Sequence, residues 1–158
     1  MKDKILSLLK ELNIPYRVET HVAVFTVAEA TQHIKDKRPI KNLLLQNDKK
    51  DRTFLVIMDG EEKLDMKTLA KKLGAKKLRF ASPEVMMEKL GVEPGSVSLF
   101  GVLSPNSGDV EVIIDQSLLN EPELGFHPND NTATIFIAGS AVEKILRHLE
   151  RKYQIVSL

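Results

Sequence analysis

Three short stretches hold the residues whose types and spacing could do chemistry. Lys41-Asn42-Leu43-Leu44-Leu45 places a lysine at the mouth of an apolar run. A compact positive charge at a sheet end can bind phosphate or steady a developing negative charge. The plainer alternative is an exposed lysine that flanks a strand as a gatekeeper. Gly101-Val102-Leu103-Ser104-Pro105 has the form Gly-x-x-x-Pro. Glycine lets backbone approach a ligand closely and aim an N–H at an oxyanion, and proline four residues on stiffens the loop. Taken alone, the same pattern fits an ordinary surface turn. Phe126-His127-Pro128 precedes Asn131-Thr132-Ala133-Thr134. A histidine ahead of such a turn can hydrogen-bond a hydroxyl or an amine, or act as a base near neutral pH. It can also do no more than pair with nearby backbone.

Other chemistries find little support. The chain has no cysteine, so disulfides, thiolate zinc sites and cysteine nucleophiles are excluded together. His21, His33 and His148 are scattered, with no His-x-x-x-His spacing, and no metal site is expected. No G-x-x-x-x-G-K-[ST] loop is present, and no serine sits in a nucleophile elbow. Any reaction at the three motifs must therefore come from positioning.

The elements that would position them can be read from periodicity. Ile5, Leu8, Leu9 and Leu12 have helical spacing, which predicts a helix ending near Asn13. Tyr16 to Thr20 reads as extended after Pro15. Thr26-Val27-Ala28-Glu29 and Ser140-Ala141-Val142-Glu143 have capping-box spacing and predict two helix starts. Lys41 to Gln46 and Thr53 to Met58 read as a hairpin around a polar turn. Asp65 opens a helix that stops at Gly74, and Ser82-Pro83 opens another that stops at Gly91. Leu78 to Ala81, Val110 to Asp115 and Thr132 to Ala138 read as strands, with Gln154 to Ser157 as a candidate edge strand. Glu93 to Gly108, punctuated by prolines and glycines, is the main loop region.

A length of 158 residues suits one domain with one sizeable core, spanning 1–158. Hydrophobic residues make up 42%, an ordinary globular value. No apolar run approaches the ~20 residues needed to cross a bilayer, and the first residues lack a signal-like core. A soluble cytoplasmic protein is expected. The net charge of +1 argues against a generic nucleic-acid coat, but it leaves room for a local basic patch. Lys35, Lys37, Arg38 and Lys41 cluster beside the first motif, while Lys49, Lys50 and Arg52 fall in the hairpin turn. Interspersed helices and hairpin-joined strands favour an α+β fold with a mixed, mostly antiparallel sheet.

Taken in order, Lys41-Asn42-Leu43, Gly101 to Pro105, and Phe126-His127-Pro128 with Asn131 and Thr134 resemble the prolyl-tRNA editing deacylases. These are free-standing domains that hydrolyse mischarged aminoacyl-tRNA. The resemblance covers nearly the whole chain, and the histidine string is nearest to the alanine-specific branch. Leu44 stands where relatives often carry phenylalanine. Val22 stands where they often carry proline, which leaves His21 without an assigned role.

The resemblance implies a single α+β domain in which helices surround a curved, mixed, mostly antiparallel sheet. It makes Lys41 the central functional residue. It implies that the Gly101 loop and Pro105 cradle the acyl-adenosine end and supply backbone donors, and that His127 orients the terminal adenosine or the aminoacyl group. Asn131 and Thr134 join the substrate-binding set. The substrate's own ribose hydroxyl would help to activate water. Val24, Phe25, Val27, Leu43 and Phe126 are candidate walls of a pocket that admits alanine and excludes proline by size, since one methylene of lost contact decides only about 1–3 kcal/mol. Lys35, Lys37 and Arg38 would hold the tRNA. The implied partner is aminoacyl-tRNA, with proline tRNA first, and prolyl-tRNA synthetase is a further candidate for a protein expected to act as a monomer. Serine or cysteine as the amino acid removed, or a binding module without turnover, are the alternatives. No cofactor is expected. Deacylation should therefore run at equal rates with and without EDTA once magnesium for tRNA folding is restored, and a specific need for zinc or manganese would refute this.

Overall fold

The computed structural model describes residues 1–20, 39–129 and 132–158. Helix α1 (Lys2–Glu11) buries Ile5, Leu8 and Leu9, one stripe at the expected spacing. It ends at Leu12, and Asn13 turns the chain with a φ of 56°. Strand β1 (Arg17–Thr20) comes next. The helix predicted to start at Thr26 lies outside the described residues.

Strands β2 (Ile40–Asn47) and β3 (Thr53–Asp59) form the predicted antiparallel hairpin, with Lys41 opposite Met58 and Gln46 opposite Thr53. Its turn is closed by one side chain. Asn47 Oδ1 accepts from the backbone N–H groups of Asp51 and Arg52 at 3.0 and 3.1 Å, the local competition with backbone that suits asparagine to turns. Helix α2 (Met66–Leu73) is capped by Asp65, whose carboxylate accepts from Thr68 N–H at 3.1 Å. After strand β4 (Leu78–Phe80), helix α3 (Pro83–Leu90) begins with Ser82 accepting from Val85 N–H at 3.2 Å and with Pro83 in its first turn.

Strand β5 (Val110–Asp115) lies parallel to β3, and strand β8 (Tyr153–Val156) lies parallel to β5. Among the described residues these make one sheet of five strands, in the order β4-β2-β3-β5-β8. Strands β6 (Leu124–Phe126) and β7 (Ala133–Ile137) pair with β1 in a second, antiparallel sheet, in the order β1-β7-β6. The strands expected of one sheet are thus divided between two.

Successive strand residues face opposite ways, and the core obeys that alternation. Leu44, Leu55, Ile57, Val112 and Ile114 join the larger cluster, which includes α1 residues and the second sheet's Phe126 and Ile135. Leu45, Phe54, Val56, Met58 and Ile113 form a second cluster with Leu69, Ala70 and Leu73 of α2.

The last helix departs from the capping-box reading. Helix α4 (Gly139–His148) has Ala138 at its N-cap, with no side-chain cap, and Ser140 lies inside the helix. A Cβ at residue 139 would sit 2.0 Å from the carbonyl oxygen of Leu118. The Gly139 N–H donates to Glu121 O at 2.9 Å. Close backbone approach, which only glycine permits, sets this start.

The hairpin-turn cation Arg52 is a structural hub. Its guanidinium grips both carboxylate oxygens of Glu111 on β5 at 3.0 and 3.1 Å and donates to Leu73 O at the end of α2 at 2.8 Å. It also lies 4.8 Å from the centre of the Phe54 ring. Lys152 Nζ approaches Glu111 from the other side at 3.2 Å. Burial would raise the pKa of Glu111, but the hydrogen bonds and charges of Arg52 and Lys152 outweigh it and hold the group below the usual glutamate range. A carboxylate ionising lower when folded contributes stability that is complete above its unfolded value, near ~4.3, and is lost as pH falls through the folded value. Glu111→Gln should destabilise the fold by about 2 kcal/mol at neutral pH and flatten the loss of stability between about pH 5 and pH 3. Urea unfolding at a series of pH values measures both, and an acid limb identical to the parent's would remove Glu111 from this role.

Candidate functional site

The three motifs occupy three different elements. Lys41 and Asn42 lie near the start of β2, where the strand is half-buried. Gly101 lies in a buried 3-10 helix (Leu99–Leu103) inside what the sequence presents as loop. His127 comes directly after β6 and is half-buried, and Pro128 beside it is buried.

One aromatic contact joins two of them. The rings of Phe100 and Phe126 meet edge to face at 5.9 Å with 74° between their planes. The residue before Gly101 is thereby packed against the residue before His127. Leu44 belongs to the same buried cluster. Strand alternation places Asn42 on Leu44's side of the sheet, the side of Phe100 and Phe126. Lys41 falls on the opposite side with Leu43, which packs against the α2 cluster. Leu43 and Phe126 therefore pack into different cores, and the structure does not bring them together as two walls of one pocket. Phe126 is 1% exposed, so its ring is core.

The Lys41 ammonium forms no ion pair among the described residues. The Oδ1 of its neighbour Asn42 is buried and has no hydrogen-bond partner among the described residues. A buried acceptor left without a donor typically costs about 1–3 kcal/mol, and such atoms call for an explanation. The sequence gives Asn42 no role of its own, since an asparagine beside a lysine carries no periodic or spacing signal. Only burial reveals it.

The Gly101 segment is held by its own hydrogen bonds. Gly101 N–H donates to Ser98 O at 2.9 Å, and Ser104 N–H donates to Gly101 O at 3.0 Å. The N–H of Gly101 is thus already engaged. A Cβ at 101 would meet Leu90 side-chain atoms at 3.0, 3.2 and 3.3 Å, so the close approach that glycine permits is to the end of α3. Val102 O accepts from Ser107 Oγ at 2.9 Å and from Arg151 Nη2 at 3.1 Å. The fully buried Ser107 Oγ also lies 2.7 Å from Ser104 O. Pro105 is exposed at the tip of this knot.

His127 Nδ1 lies 3.0 Å from Ala133 O across the turn. A carbonyl only accepts, so Nδ1 carries the proton, and in the neutral ring Nε2 is the basic nitrogen. Thr134 is 1% exposed within β7, opposite Glu19. Val24, Phe25, Val27, Lys35, Lys37, Arg38 and Asn131 lie outside the described residues, as do His21 and His33. Among the described residues, no group of three or more histidines and carboxylates could hold a metal. No helix among them is long and apolar enough to cross a membrane.

Comparison with known proteins gives the family. Residues 21–145 match the model of the aminoacyl-tRNA editing domain. The chain belongs to the aminoacyl-tRNA editing domain family. It is 34% identical over 159 residues to the prolyl-tRNA editing protein ProX of Acetoanaerobium sticklandii, an alignment covering 99% of this chain and 97% of that protein. It is 32% identical over 154 residues to the prolyl-tRNA synthetase associated domain-containing protein 1 of Danio rerio, covering 95% and 82%. In fold it is similar to the crystal structure of a proposed trans-editing enzyme for prolyl tRNA synthetase, with a TM-score of 0.73 at 22% identity over 99% of this chain and 94% of that one. The mixed α+β architecture of the editing domain is therefore shared.

The contact with Leu90 yields a prediction that separates packing from chemistry in this editing domain. Gly101→Ala should lower stability by about 1–2 kcal/mol through overpacking. In a double-mutant cycle with Leu90→Val, the two changes should be non-additive, because the smaller side chain makes room for the new methyl group. Additive effects would show that the crowding is not between these two residues.

Proposed function

We propose that this chain hydrolyses mischarged aminoacyl-tRNA in trans, with alanine on proline tRNA as its main substrate. One observation carries the reading. Successive residues at the start of β2 present an ammonium without an ion pair and a buried amide oxygen without a donor, both among the described residues. The naming of ProX as a prolyl-tRNA editing protein supports the substrate class.

The reaction is simple in its balance. A water oxygen adds to the ester carbonyl, the carbonyl oxygen becomes an oxyanion, and the bond to the ribose oxygen then breaks. The water gives up both its protons, one to the departing ribose oxygen and one to solvent, and the amino acid leaves as its carboxylate. An ester is already activated, so holding it against water and stabilising the oxyanion can suffice. Lys41 supplies the positive charge that anchors the acyl-adenosine end and offsets the oxyanion. Asn42 Oδ1 accepts from an N–H or O–H of the bound aminoacyl-adenosine, which removes the cost of its burial.

His127, with its proton fixed on Nδ1 by Ala133 O, orients a ribose hydroxyl or the amino group through Nε2. Gly101 shapes the floor through its close packing. Pro105 and Asn131 complete the binding set, and Val24, Phe25 and Val27 wall the acyl pocket. Lys35, Lys37 and Arg38 contact the tRNA. The protein works as a cytoplasmic monomer, with prolyl-tRNA synthetase as its functional partner.

Lys41→Ala opens no cavity in a packed core and removes one charge. It should leave the thermal melt unchanged while lowering the single-turnover rate on Ala-tRNA(Pro) by at least a hundredfold, the scale of one lost oxyanion contact (~10²–10³). A panel of mischarged tRNAs tests the substrate in the same assay. Turnover near the parent's would refute the role of Lys41, and stoichiometric binding without hydrolysis by the parent would mark a binding module.

A further inference from the structure

The chain as a whole is almost neutral, but its charge is unevenly placed. Between Lys63 and Phe80 lie seven of the 23 cationic residues and one of the 22 acidic ones, an excess of six in a protein of net charge +1. Lys63, Lys67, Lys71, Lys72, Lys76, Lys77 and Arg79 are all exposed. None of them forms an ion pair among the described residues. Lysines in the last turn of α2 suit the negative end of the helix dipole. That accounts for Lys71 and Lys72, but not for Lys76, Lys77 and Arg79 beyond the helix. So many like charges in one short stretch repel one another unless a polyanion covers them.

The patch has shape as well as charge. A groove of about 650 Å³ runs between α2 and β4, with Lys67, Lys71, Lys76 and Lys77 lining it above Ala70 and Leu78. Phe80, at the far end of β4, is 62% exposed beside Arg79. Basic residues with an exposed aromatic among them are the composition that suits a nucleic-acid backbone and its bases.

The patch also lies in line with the candidate site. β4 pairs with β2, so that Arg79 is opposite Gln46 and Phe80 opposite Leu45. From Gln46 back to Lys41 is five strand steps, roughly 17 Å at ~3.3 Å each. A single RNA of a few nucleotides can cross that interval.

We propose that the α2–β4 face is the docking surface for the phosphate backbone of the tRNA whose aminoacyl end lies at Lys41. This rests on the deacylase reading for the position of the 3′ end, while the face itself comes from charge and shape. The four groove lysines each neutralise a phosphate, and Phe80 offers a flat apolar surface to a base of the unpaired 3′ end. The footprint includes none of Lys35, Lys37 and Arg38.

The test uses Lys67→Gln, Lys71→Gln, Lys76→Gln and Lys77→Gln together, against the matching set of four lysine-to-arginine changes. Uncharged proline tRNA is titrated at several salt concentrations. Hydrolysis is measured on aminoacylated adenosine, a single nucleoside too short to reach the groove. The glutamine variant should bind tRNA at least tenfold more weakly at low salt, and its salt slope should flatten by about three units, at ~0.7–0.9 per phosphate contact. Hydrolysis of the short ester should stay within twofold of the parent, and the arginine variant should bind as the parent does. An unchanged salt slope would overturn the docking face, as would parallel loss of short-ester hydrolysis. A parent that hydrolyses neither substrate would refute the deacylase reading alone, because the binding arm still decides the face.

Discussion

β3 is buried on both sides, and the rest of the fold is arranged around that. Thr53 to Met58 are all buried, odd and even positions alike. A strand with two apolar faces needs cover on each, and the chain supplies two kinds. Helix α2 closes one face, while α1 and the second sheet take part in the larger core on the other. The strand also needs a partner along each edge. It has β2 on one side, antiparallel through a tight turn, and β5 on the other, parallel after a long crossover. Arg52 at the head of β3 fastens this centre to both neighbours, gripping Glu111 on β5 and the last carbonyl of α2.

The same alternation divides the first motif. Lys41 and Asn42 are adjacent in sequence and face opposite sides of one sheet. Any ligand that engages both must therefore sit across the strand's end, where β2 is only half-buried and its first residues pass from interior to surface. That is where a long flexible ammonium and a short fixed amide can meet one molecule from different directions. The contact between Phe100 and Phe126 fixes the other two motifs relative to each other, because aromatic packing in a dense core leaves little freedom.

Much of the fold was legible because its signals are local. Capping residues Asp65 and Ser82, the glycine stops at Gly74 and Gly91, and the hairpin around Asn47 all act within a few residues. What escaped was set at long range. The start of α4 depends on the backbone of Leu118, over twenty residues earlier, and a capping-box spacing at Ser140 could not compete with it. β6 is three residues long and exists only because β7 pairs with it. The same divide holds at the site. The types and order of Lys41, Gly101 and His127 stood out in the sequence. The packing of Gly101 on Leu90, the unpartnered amide of Asn42 and the separate cores of Leu43 and Phe126 are facts of folded proximity.

The grip of Arg151 on Val102 has a consequence in time. The two residues are 49 positions apart, and the guanidinium that holds the Gly101 segment arrives with β8, which adds to the sheet only once β5 is in place. A ribosome makes the segment well before it makes the clamp. During synthesis the first two motifs can be complete in sequence while the second still lacks its anchor. A nascent chain that has not reached Arg151 would carry the residues of the site without the geometry, and so would have little chance of engaging tRNA beside the ribosome before the fold is finished.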